Sequence, residues 1–266
     1  MVSNTGSPAP EARRRRTRPR HAASGRAPAH RRRQWIPPQH GAWAMLLVPF
    51  LAGLLTAGFS WPALPLLVTW IAGYLLSYYA LLSVKTRRLS RFRRQVLVYG
   101  GTAAAAGAVV LLMRPELLVF APIFATALLV NGLFATRRDD RALLNGMVSV
   151  AAATLILPMV AMVAGESPWT TTEAAAITFL YFAGTVLFVK SCIRERDSAR
   201  LFGASVGFHA GAAALAAWLN PLYALPFTWY LVRAVVLRRR RYSAKQIGII
   251  EVGSSVLLLV AVAATT

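Results

Sequence analysis

Cysteine is nearly absent from this chain. Cys192 stands alone in 266 residues, so no internal disulfide can form and the fold must rest on packing. Lysine is almost as scarce: Lys85, Lys190 and Lys245 are the only three among 30 basic residues, the rest being arginine. Acidic residues number 9, which leaves a formal net charge of +21 and few carboxylate oxygens for a metal ion. Long polar stretches are missing beyond residue 36. In their place 56% of the chain is hydrophobic, and the mean hydropathy is +0.51. High hydrophobicity with high charge excludes an ordinary soluble domain and suits a membrane protein whose charges sit in its loops.

Residues 1–36 are a separate object. "EARRRRTRPRHAASGRAPAHRRR" carries ten arginines amid Ala, Pro and Gly, without apolar periodicity. Such a composition cannot bury enough surface to fold. It reads as a disordered, Arg-rich cytoplasmic tail that helps to fix topology. No aromatic or fold signature accompanies the charge, which argues against nucleic acid as a partner. No small-residue cleavage site ends a short apolar region, so the segment does not read as a removable signal.

Residues 37–266 read as one transmembrane helical domain. Apolar spans near 41–58, 62–84, 96–113, 116–136, 143–164, 172–192, 201–218, 221–237 and 247–265 are separated by short polar breaks. Each is about the 17–25 residues that a helix needs to cross a bilayer. Pro62, Pro115, Pro168 and Pro221 punctuate the breaks. Twenty-nine of the thirty basic residues fall in the tail or in alternate breaks, and Arg114 alone falls on the other side. The expected fold is therefore an all-α polytopic membrane protein of about nine helices, with its N-terminus cytoplasmic and its C-terminus outside.

Polar residues within the spans gather toward the basic breaks. "PPQHGAWAMLLVPF" (37–50) places His40 at the start of the first span, after two stiffening prolines and beside Trp43. Lys85 ends the second span, Asn131 lies a turn before the end of the fourth, and Asn145 opens the fifth. Lys190 lies in the last turn of the sixth, with Arg194 four residues on and so on the same helix face. His209 lies about eight residues into the seventh span, roughly 12 Å deep. Glu251 lies about a turn into the ninth, just after Gln246. Ionisable groups at such depth usually face a bundle interior or a wet cavity, and their one-sided clustering predicts a basic cavity open to the cytoplasm. Each also has a structural reading. Lys190 and Arg233 can snorkel to the headgroups, a reading favoured for Arg233. His209 can bond a neighbouring helix as a neutral ring, and Glu251 can pair with an arginine as a lock.

A weak repeat relates "YLLSYYALLSVK" (74–85) to "FLYFAGTVLFVK" (179–190). It would make two parallel four-helix units plus a ninth helix, with a site at their interface.

Four motifs, "PPQHGAWAMLLVPFLAG" (37–53), "NGLFATRRDDRALLNG" (131–146), "FVKSCIRERDSARLFG" (188–203) and "KQIGIIEVG" (245–253), resemble the YwiC-like family of bacterial integral membrane proteins. The likeness implies a multi-pass protein of the bacterial cytoplasmic (inner) membrane and carries no established catalytic activity. More distantly the chain resembles UbiA-type prenyltransferases, which implies nine helices and aspartate-rich metal motifs after the second and sixth. Those places here read "SVKTRRLSR" and "VKSCIRERDSAR", basic where the enzymes are acidic, which speaks against metal-dependent transfer.

Binding of an anionic, phosphate-bearing lipid or small ligand is the first functional expectation. Lys85, Lys190 and Arg194 would neutralise it, with His40, Asn131, Asn145, His209 and Glu251 lining the site. A proton-coupled transporter using His209 and Glu251, a metal-free UbiA-like transferase, and an assembly or scaffold protein are the alternatives. The cofactor is left unknown, and the expected partners are the lipid bilayer and the anionic lipid or phosphate-bearing ligand.

Overall fold

The computed structural model describes residues 1–3, 35–37, 40–239 and 242–266. The chain divides after Trp35 into two units. The Arg-rich tail expected at 1–36 lies almost wholly outside the described residues. The second unit, Ile36–Thr266, is helical, with no strand among the described residues.

Its α-helices are α1 (His40–Ala57), α2 (Ala63–Thr86), α3 (Leu89–Met113), α4 (Ala121–Thr136), α5 (Leu143–Thr154), α6 (Ile156–Ala164), α7 (Thr172–Val189), α8 (Ala199–Leu219), α9 (Ala224–Val236) and α10 (Ala244–Thr265). Proline sets most of the breaks between them. Pro115, Pro168 and Pro221 each open a short 3-10 turn that leads into the next helix, and Pro62 stands immediately before α2. At these places the missing N–H costs nothing, because a helix start leaves that donor unpaired anyway. Serines start two of the helices that follow basic loops. The Ser198 hydroxyl accepts from the Leu201 N–H at the start of α8, and Ser243 forms a reciprocal capping box with Gln246 on α10.

Two expectations about the spans change in detail. The span read as 143–164 is broken at Leu155 into α5 and α6, because Pro158 cannot donate to the carbonyl one turn before it. The span read as 96–113 begins seven residues earlier, at Leu89. Counted as crossings, α5 and α6 form one unit, which leaves nine helical segments among the described residues. Seven of these are long and apolar enough to cross a membrane, and α1 is a shorter apolar helix. The protein is thus a multi-pass, all-α membrane protein.

The helix α7 is the centre. It packs against α1, α5, α6, α8, α9 and α10, and its residues Ile177, Ala183 and Phe188 are wholly buried. The helix α6 completes this core with Ile156, Leu157 and Val160. Gly53 lets α1 come close to it: a methyl group there would stand 3.0 Å from Val160 Cβ and 3.3 Å from the Leu157 Cα. The α2–α3 hairpin lies further out, pinned to α1 by the Trp70 indole N–H, which donates to the Leu46 carbonyl at 3.1 Å. Large apolar side chains such as Leu97, Leu112 and Leu129 stand exposed on α3 and α4, as lipid-facing surfaces do. The two four-helix units expected from the repeat are not formed, since α1 packs mainly on α6 and α10 rather than on α2.

Candidate functional site

Basic loops lie at one end of the helices: after α2, between α4 and α5, between α7 and α8, and between α9 and α10. Three of the eight candidate residues meet there around the α4–α5 loop. Lys85 forms an ion pair with Asp140. The Asn145 amide donates to the Asp140 carbonyl at 2.8 Å, and its own Oδ1 is buried without a partner. Ser149 donates to the Asn145 carbonyl at 2.9 Å and approaches Asn131 Oδ1 at 3.3 Å. One connected polar chain therefore joins the end of α2 to α4 and α5.

Lys190 and Arg194 were expected on one helix face. The chain instead widens into a π turn over Lys190–Arg194, closed by the Glu195 N–H on the Lys190 carbonyl at 3.0 Å. In that wider turn, residues four apart no longer stack. Lys190 pairs with Glu195 at 3.1 Å, while Arg194 forms no salt bridge among the described residues. The next loop is fastened by arginines that use backbone oxygens. Arg196 donates to the carbonyls of Cys192 and Tyr242, and Arg238 to those of Arg196 and Ser198. Arg238 also stacks over Phe202, 4.1 Å from the ring centre. Two basic loops are thereby tied together without using a carboxylate.

Deeper lies a second group. Glu251 is seven residues into α10, about two turns rather than the single turn expected from sequence. It pairs with Arg233 of α9, and its other oxygen accepts from the Thr185 hydroxyl at 2.8 Å and from Tyr181 at 3.2 Å. Arg233 also donates to the Thr185 hydroxyl at 3.1 Å. Its guanidinium lies 4.9 Å from the ring centres of Phe188 and Tyr230 and 5.5 Å from that of Tyr181. The expectation that Arg233 snorkels to the headgroups is wrong, since the residue is 1% exposed. Snorkelling needs an open path to the interface, whereas α7 and α10 close over this arginine and supply its counter-charge. His209, in the middle of α8, is also buried, and its Nδ1 lies 2.7 Å from the Ser205 carbonyl. Sequence reasoning missed Asp140, Glu195, Tyr181 and Thr185 as partners. A signal for the central pair was present: Arg233 and Glu251 carry opposite charge on the two sides of one short loop. The His40 side chain lies outside the described residues.

These motifs and this helical plan can be set beside known proteins. A family model described as YwiC-like protein matches residues 36–161, which covers α1 to α5 and the first part of α6. A protein of Haemophilus influenzae (strain ATCC 51907 / DSM 11121 / KW20 / Rd), described as "Uncharacterized protein", is 33% identical over 84% of this chain and 96% of its own length. The chain belongs to the YwiC-like family. Another relative, "Uncharacterized protein YwiC" of Bacillus subtilis (strain 168), is 30% identical over 84% of this chain and 95% of its own. No solved structure matches significantly. In this YwiC-like chain the buried Arg233–Glu251 pair lies beyond the residues that the family model matches.

Proposed function

We propose that this YwiC-like protein binds an anionic, phosphate-bearing lipid or small ligand at the basic end of its helices, and that this end faces the cytoplasm of a bacterial cell across its inner membrane. The observation that carries the reading is where the positive charge is left over. Lys85 and Lys190 each have a carboxylate, so the lysines expected to hold the ligand are already neutralised. Arg141, Arg194, Arg196 and Arg238 form no salt bridge among the described residues. A phosphate among these guanidinium groups would gain charge-assisted hydrogen bonds from planar, forked donors. The positive-inside bias of the loops supports the cytoplasmic orientation. Asn131, Asn145 and the Lys85–Asp140 pair border the same end, where they would shape the ligand's surroundings rather than supply its charge.

Native mass spectrometry on protein released from nanodiscs tests this. Wild-type protein is expected to retain phosphatidylglycerol over phosphatidylcholine, or to bind added inorganic phosphate if the natural ligand is free. Arg141→Ala/Arg194→Ala should lose that retention, and Lys85→Ala/Lys190→Ala should keep most of it. Equal retention by wild type and the arginine double variant would refute the reading.

A further inference from the structure

We propose that the protein has a second site, inside the helix bundle beside the Arg233–Glu251 pair, that binds a small neutral hydroxyl guest: water in the resting protein. This inference is independent of the anion site. Three polar atoms point to it. His209 is 3% exposed and Ser205 is wholly buried, yet His209 Nε2 and Ser205 Oγ have no hydrogen-bond partner, and neither has Nε of the buried Arg233. Buried polar atoms left unmatched in this way mark places where ordered water, or a ligand, completes the network.

The residues stand on helices that pack on one another: Ser205 and His209 on α8, Arg233 on α9, and α7 against both. The His209 ring faces Gly184 of α7, where a methyl group would stand 3.0 Å from Nε2. Arg233 donates to Thr185, the next residue of α7. Ser205 is one turn from His209 on α8, and its carbonyl holds Nδ1 at 2.7 Å. A carbonyl can only accept, so Nδ1 carries a hydrogen and Nε2 of the neutral ring is an acceptor. Arg233 Nε–H can only donate. The guest must therefore donate to His209 and accept from Arg233, with the Ser205 hydroxyl free to do either. A carboxylate cannot donate, and a metal ion would meet a guanidinium. The Arg233–Glu251 pair is already neutral as a unit, so a charged guest would bring an uncompensated charge into an apolar interior. Water meets each of these conditions, and so does the hydroxyl of a small alcohol.

Radiolytic hydroxyl-radical footprinting of the full-length protein in nanodiscs reads water bound beside a buried side chain. His209 should be modified several-fold faster than Phe50, which is also 3% exposed. Gly184→Ala puts a methyl group 3.0 Å from Nε2, which displaces the ring, and should abolish that excess. Ser205→Ala, which removes one partner without adding volume, should reduce it and decides the matter if Gly184→Ala fails to fold. A neutral organic adduct at one per protein in native mass spectra, lost in the same variants, would assign the hydroxyl to an alcohol instead. Modification of His209 no faster than Phe50, with no such adduct, overturns the proposal.

Discussion

Glu251→Leu leaves Arg233 charged, 1% exposed and ringed by three aromatic faces, with one side-chain acceptor, the Thr185 hydroxyl, still beside it. The cation–π contacts exist in the wild type too, so they do not offset the loss. Breaking a buried pair by removing one partner costs about 3–5 kcal/mol, because the other charge remains in place without compensation. Arg233→Met leaves Glu251 with donors from Thr185 and Tyr181, which puts this variant toward the lower end, about 3 kcal/mol. Removing both charges in Arg233→Met/Glu251→Leu keeps volume and leaves neither ion behind. That variant should lie within about 1–2 kcal/mol of wild type, so the two changes are strongly non-additive. Reversible unfolding in mixed micelles, followed by the fluorescence of the 7 tryptophans, measures all four corners of the cycle. Single variants each costing less than about 1 kcal/mol, or a double variant equal to their sum, would refute the account of a sealed ion pair.

Other variants probe the packing and the loops. Gly53→Ala should destabilise by about 1–3 kcal/mol through overpacking against α6, whereas Gly41→Ala, which meets nothing within 4 Å, should leave the thermal midpoint unchanged. Ser243→Ala removes the capping box of α10 and should cost about 0.5–2 kcal/mol, read as a lower unfolding midpoint with the helical circular dichroism kept. The Lys85–Asp140 pair is about one-third exposed on each side, so a Lys85→Ala, Asp140→Ala cycle should show a coupling of at most about 1 kcal/mol that shrinks in high salt.

The helical class was legible because a bilayer forces it: spans of a crossing length, broken at Pro62, Pro115, Pro168 and Pro221, leave little choice of backbone. Lateral packing was not legible. In α7 nearly every face is apolar, so the pattern does not say which residues meet α1, α8 or α10. Arg233 shows the difficulty plainly. Near a helix end, an arginine that turns outward and one that turns inward share the same sequence context, and only the neighbours decide. The π turn at Lys190–Arg194 was equally hidden, since one widened turn re-aims Arg194 without changing the composition of the span. Lys85, Asn131 and Asn145 were placed at the correct end of their helices, while the acids that occupy the lysines sit in loops whose course depends on tertiary contacts.

The buried ion pair also bears on how the chain is made. The helix α9 has 13 residues and carries Arg233, and it is not among the helices long and apolar enough to cross on their own. Arg233 lies in the last turn of that helix, where its insertion cost falls below the about 2.5–3.5 kcal/mol of an arginine at a helix centre but still counts against so short a segment. Glu251 follows only after the next turn of the chain, on an apolar helix of 22 residues. Entry of the two arms together, as a hairpin, would let Glu251 neutralise Arg233 before the arginine meets lipid. On that route α10 is the helix that commits α9 to the membrane.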